Sequence, residues 1–198
     1  LWHDCREAAS DAPASAKVPA LEELEAAAEH TGFGLLEIDA ENCTLRLTDP
    51  EASLDVGALG KGYATERAAE YLESVGAESY VLNIGGNIRI IGTKPDGSGW
   101  NTGIRDPQDP DGSFAVSLDL SDTACVTSGT YERYYMVDGE KYHHIIDKDT
   151  LYPADYFESL TVVTKDSGLA DALSTALFCM SYEDGLALAE KLGVDVLW

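Results

Sequence analysis

A chain of 198 residues, 44% hydrophobic and 25% charged, can bury one sizeable core or two small lobes, and no apolar run approaches the ~20 residues that span a bilayer. Its net charge of −23, from 36 Asp plus Glu against 13 Lys plus Arg, disfavours nucleic acid and anionic membranes; a phosphate ligand would need a basic side chain, a helix N-terminus or a metal. Cys5, Cys43, Cys125 and Cys179 lie far apart without a C-x-x-C pair, which excludes a zinc knuckle and a small disulfide scaffold; Cys179 reads as core filling.

The opening residues, "LWHDCREAAS", carry neither an initiator Met nor a signal pattern, so the chain reads as a fragment of something longer. Residues 1–20 are polar and Ala-rich and read as a loop. "PALEELEAAAEHTG" predicts a short amphipathic helix, with Pro at its start, acids in its first turn and Gly32 ending it. "GLLEID" and "CTLRLTD" predict a hairpin turned at "AEN". "KGYATERAAEYLESVGA" predicts a helix with Ala64, Ala68, Tyr71 and Leu72 on its apolar side. "SYVLNIGGNIRIIGT" reads as strand, glycine break, strand. Further strands follow in "NTGIRDP" and "FAVSLDLSDTACVTSG". "ERYYMVDGEKYHHIID" predicts a hairpin turned at Asp138-Gly139. A strand at "SLTVVTK" precedes two helices, "GLADALSTALFCM" and "YEDGLALAEKLG". Consecutive strands with few helices predict an α+β fold with a largely antiparallel sheet.

Four stretches could carry chemistry, and each also has a plain structural reading. "LDVGALGKGYATERA" joins an extended segment to a helix through Gly57, Gly60 and Gly62. Such glycines let backbone approach a ligand, and Lys61 sits where a helix N-terminus attracts anions. The Walker spacing is absent, because Gly62 follows Lys61. Taken alone, the stretch is a structural turn and Asp55 a turn residue. "NIGGNIRIIG" places Gly85-Gly86 at a β-bulge or tight strand bend, or at a backbone surface for a flat or phosphorylated ligand. His143 and His144 point to opposite strand faces, so only one can face a given pocket. In "GLADALSTALFCM", Leu169, Ala172, Leu173, Ala176, Leu177 and Met180 form an apolar stripe. Asp171, Ser174 and Thr175 share a face beside it. Asp171 could complement the helix dipole while Thr175 bonds back to its carbonyl. Alternatively the three oxygens could hold a hard cation, of which Mg²⁺ keeps several waters and takes few carboxylates.

Taken together, "LDVGALGKGYATERA", "NIGGNIRIIG", "W-x-x-GIRDP", "TSGTYER", "YHHIID" and "ADALSTALF", in this order from Leu54 to Met180, resemble the ApbE family of flavin transferases (FAD:protein FMN transferases). The resemblance implies a T-fold-like α+β architecture, one domain over residues 1–198, truncated at its N-terminus. It implies Mg²⁺ held by Asp171, Ser174, Thr175 and the Ala58 carbonyl. It implies FAD contacts at Asp55, Lys61, Gly85, Gly86 and the Ile146 main chain, with His144 as the catalytic base. The implied reaction moves FMN from FAD to a Thr or Ser hydroxyl of an acceptor protein and releases AMP. Alternatives are an FAD pyrophosphatase giving FMN and AMP, and a flavin-binding protein without turnover. An extracytoplasmic or membrane-associated setting is implied in the same way, with anchorage only through a region upstream of this chain. Two departures stand out: Lys148 and Leu151 replace a Pro and a later Gly after "HIID", and the chain begins where the family's N-terminal lobe ends.

Overall fold

The computed structural model describes residues 1–109 and 112–198. In chain order it contains helix α1 (Trp2–Asp11), helix α2 (Leu21–Glu29), strands β1 (Leu36–Asp39) and β2 (Thr44–Leu47), and helix α3 (Gly60–Ser74). Strands β3 (Tyr80–Ile84), β4 (Asn87–Ile91), β5 (Trp100–Arg105), β6 (Phe114–Leu120), β7 (Thr123–Gly129), β8 (Tyr134–Val137) and β9 (Glu140–His143) follow. Strand β10 (Ser159–Thr164), helices α4 (Ser167–Phe178) and α5 (Tyr182–Leu192), and strand β11 (Asp195–Leu197) complete it. The fold is α+β, and every strand pair is antiparallel. Among the described residues no helix is long and apolar enough to cross a membrane. The elements gather into two compact units, one of Leu1–Asp55 with Arg133–Pro153, the other of Val56–Glu132 with Ala154–Trp198.

The first unit holds α1, α2 and two hairpins. Residues 1–20 are not the loop the sequence suggests: α1 forms there, followed by a short 3-10 turn at Pro13–Ser15. Its run of Ala, Glu and Arg favours helix, and Trp2 anchors it, stacking on Tyr142 at 5.6 Å and meeting Tyr152 edge-on. The Trp2 indole N–H also donates to the Leu151 carbonyl at 2.9 Å. Tyr135 is buried in this aromatic group and donates to the Lys17 carbonyl. Burial pushes its phenol up to about 12. The β8–β9 hairpin turns at Asp138-Gly139, both left-handed, as the dipeptide predicts.

The second unit is built on a five-stranded sheet in the order β11-β10-β7-β4-β3. Gly85 and Gly86, at φ +58° and +90°, form the two-residue turn of the β3–β4 hairpin, the tight bend of the two structural readings and not the bulge, since Ile84 pairs directly with Asn87. "FAVSLDLSDTACVTSG" is two strands, broken where Asp122 turns left-handed; β6 pairs with β5, and β7 joins the main sheet. The core lies where α4 packs on the sheet: Leu173, Leu177 and Phe178 are buried with Ile90, Val126, Leu160 and Val162. Burying each such side chain stabilises the fold by roughly 1.5–3 kcal/mol. Cys179, at the C-cap of α4, is half-buried.

Helix α3 buries a different face from the one its apolar residues mark, and α4 buries polar residues beside part of its apolar stripe. In α3 the buried positions are Gly62, Thr65, Glu66 and Ala69, while Tyr71 is 67% exposed. In α4 Leu169 is exposed, and Ser167, Asp171 and Ser174 are buried alongside Leu173 and Leu177. The physical reason is that each helix packs against the other through small and polar residues.

Candidate functional site

The site grows from the way α3 and α4 start. An α-helix leaves its first N–H groups without internal partners. Leu59, at the N-cap of α3, offers no side-chain acceptor, and the Asp171 carboxylate takes that place: the Gly62 N–H donates to Asp171 Oδ2 at 2.8 Å. In return Glu66 of α3 serves α4, where the Ser167 N–H donates to Glu66 Oε2 at 2.7 Å. The two helices thus cap one another. Asp166, not Asp171, is the local N-cap of α4, accepting from the Leu169 N–H. This removes the plain helix-start reading of Asp171.

Only glycine fits at the crossing. A methyl group on Gly62 would sit 2.2 Å from the Ser167 carbonyl oxygen and 2.4 Å from Asp171 Cβ. Arg89 of β4 completes the junction: its Nε lies 3.0 Å from Glu66 Oε2, and its Nη1 donates to the Ile90 carbonyl. Both side chains are buried, so neither charge could stay there without the other.

The contact at Gly62 has a second effect. In an uninterrupted helix that N–H would reach back four residues to the Ala58 carbonyl. Here it goes to Asp171, and among the described residues no backbone N–H takes its place on Ala58. The glycine-rich turn and Asp171 therefore meet, as the resemblance requires. Lys61 is drawn to the same place, its Nζ 3.8 Å from Asp171 Oδ1 and 3.0 Å from the Asn87 Oδ1 that accepts its proton. Its stem runs beside Gly85, where an added Cβ would meet the Lys61 Cδ at 3.8 Å. Lys61, Gly85 and Asp171 are thus gathered; Asp55 lies in an exposed stretch of the other unit.

Ser174 is buried and already engaged, bonding the Ser128 hydroxyl at 2.8 Å and the Asp171 carbonyl at 2.9 Å. It takes the back-bonding role the sequence reading gave to Thr175. Thr175 is half-buried, and among the described residues no hydrogen bond engages its hydroxyl. Among the same residues no three or more His, Cys, Asp and Glu side chains are grouped so as to hold a metal ion by themselves. A cation at Asp171 would therefore be held by one carboxylate with hydroxyl and carbonyl oxygens. That donor set suits a hard ion that keeps several waters. Asp171 Oδ1 and the Ala58 carbonyl, neither held by a backbone N–H among the described residues, fit such an ion.

His144 and Ile146 belong to the first unit. His143 is buried, while His144 is exposed on one side. The surrounding chain desolvates the rest of its ring, and Arg133, His143 and Arg6 oppose its charge, pushing its pKa down to about 4. The ring is neutral at neutral pH. Ile146 pairs with Pro153 in an isolated bridge, and Asp147, buried, accepts from the Leu151 and Asp149 N–H groups. Leu151 adopts φ +64°, the left-handed conformation that glycine favours, so leucine occupies a glycine-type backbone at the position where the resemblance expects glycine.

Sequence reasoning missed Asn87, Glu66, Arg89 and Ser128 as parts of the site. One signal was available: Asn87 and Arg89 interrupt the apolar run "NIRII" two residues apart, on one strand face.

The ApbE family model matches residues 1–198. The FAD:protein FMN transferase of Vibrio cholerae is 38% identical over 181 residues, which cover 91% of this chain and 54% of that protein. Among solved structures, the ApbE protein of Thermotoga maritima has a TM-score of 0.84 at 36% identity, over 91% of this chain and 59% of that one. Flavin transferase ApbE from Vibrio cholerae has a TM-score of 0.80 at 37% identity, over 91% of this chain and 57% of that one. The chain spans about half the length of the curated relatives it matches.

Proposed function

This chain belongs to the ApbE family, and from that premise we propose that it contributes to a flavin transferase that moves FMN from FAD to a Thr or Ser hydroxyl of an acceptor protein. The observation that carries the reading is the Gly62 N–H bond to Asp171, which joins the glycine-rich turn to the late helix and leaves the Ala58 carbonyl without a helical donor. Mg²⁺ bound by Asp171, the Ala58 carbonyl and Thr175 would supply the positive charge that an acidic protein needs beside a pyrophosphate.

The chain's own residues do the rest. Lys61 directs its ammonium at the phosphates from the mouth of α3, whose dipole favours the same negative charge. Ser174 bonds both the Ser128 hydroxyl on β7 and the Asp171 main-chain carbonyl, which ties this turn of α4 to the sheet. The acceptor hydroxyl oxygen forms a bond to the flavin-side phosphorus while the bond to the bridging oxygen breaks, and that oxygen leaves with AMP. The hydroxyl proton has to pass to a base, and the resemblance implies that role for His144, whose ring is neutral at neutral pH. Positioning and charge neutralisation carry most of such a displacement.

The test is incubation with FAD, Mg²⁺ and a flavin-acceptor domain, followed by gel fluorescence and AMP assay. A covalent fluorescent acceptor with stoichiometric AMP supports transfer. FMN and AMP released without acceptor would make the chain a pyrophosphatase, and FAD binding without AMP a carrier. Asp171→Asn retains an acceptor for the Gly62 N–H, so it should fold and lose the Mg²⁺-dependent reaction.

A further inference from the structure

We infer that Asn87 is a positioning residue for Lys61, a role that rests on the flavin transferase reading above. Asn87 is the first residue after the Gly85-Gly86 turn and is 1% exposed. Its Oδ1 accepts from Lys61 Nζ at 3.0 Å, but its Nδ2 is buried with no hydrogen-bond partner among the described residues. A buried amide donor left without a partner weakens a fold, so an apolar side chain of the same shape would serve packing better. What the amide supplies is an oxygen that draws the Lys61 ammonium to one spot, beside Asp171 and over the hairpin turn.

Lys61 needs such a guide. Its side chain is 43% exposed and ends in freely rotating bonds, and its ammonium stands 3.8 Å from Asp171 Oδ1, beyond a normal hydrogen bond. Without Asn87 the ammonium would sample solvent, and a phosphate arriving at the mouth of α3 would have to order it. Asn87 does that ordering in advance. Arg89, two residues on, binds Glu66, so one face of β4 fixes two charged side chains of α3.

The test uses the 198-residue chain with Asn87→Leu, Lys61→Ala and the double variant. Asn87→Leu should melt at or above the parent temperature while raising the dissociation constant for FAD about tenfold, the order expected for disturbing one charge-assisted contact. In the Lys61→Ala background the same change should have no further effect on FAD binding. A ligand-free readout stands beside these: in Asn87→Leu, Lys61 should be acylated faster by an amine-reactive reagent, read by peptide mass spectrometry. A drop in melting temperature with unchanged Lys61 labelling would make Asn87 merely structural and overturn the inference. Faster labelling in a protein that binds no FAD even as the parent would leave the positioning intact and sink the transferase reading instead.

Discussion

The α3–α4 junction and the loop after β9 hold their polar groups by different means. In the junction, Asp171 and Glu66 are buried and bonded to backbone N–H groups of the opposite helix, so each carboxylate is a part of the fold. In the loop, His144 stands partly in solvent, and the backbone beneath it is shaped by Asp147 and the left-handed Leu151. A group that caps a helix cannot be removed without disturbing the element that presents it. One that only rests on a shaped loop can.

The sharpest way to break this comparison is Gly62→Ala. The added methyl meets a backbone oxygen and a Cβ, neither of which moves alone, so the helices must separate. The expected loss is about 3 kcal/mol or more, as for severe overpacking, read by thermal or denaturant unfolding. A variant that melted like the parent would mean the helices are not packed as closely as the Gly62 geometry requires. Comparable in size is Arg89→Ala, which leaves the Glu66 carboxylate buried without its counter-ion at a cost of about 3–5 kcal/mol. Adding Glu66→Gln to Arg89→Ala should recover much of that loss, because the amide carries no charge and still accepts from the Ser167 N–H. Failure of this rescue would show that the Arg89 stem, not its charge, supports the junction.

These same residues explain what was legible in the sequence. The hairpins, the positions of the helices and the α+β class follow from turn dipeptides and from alternation, which are local signals. The Asp138-Gly139 turn and the Gly193 cap of α5 are examples. The facing of α3 and α4 did not follow, because their shared surface is built from Gly62, Glu66, Ser167 and Asp171, which a hydrophobic pattern assigns to solvent. Nor did the helix α1, whose anchor Trp2 packs on Tyr142 and Tyr152, far away in the chain. At the site, the order of the six motifs pointed to Asp171, Ala58 and Lys61, and the geometry gathers Lys61 and Asp171 around the first turn of α3. Glu66, Arg89 and Asn87 escaped because a charged or amide residue in an apolar run has meaning only once its partner is known.

The smallest effect belongs to the loop. With its folded pKa pushed from the ordinary 6.5 down to about 4, His144 takes up a proton more readily in the unfolded chain than in the folded one. The stability linked to its neutral ring is therefore complete above pH 6.5 and declines as the pH falls from there towards 4. Because the ring is exposed, solvent screens the effect, and only the direction is expected to survive in a melting curve. Between these pH values the parent should lose melting temperature relative to His144→Asn, and the ring's own NMR titration should fall well below 6.5. Parallel melting curves and a titration near 6.5 would show that the loop leaves the ring as it is in water.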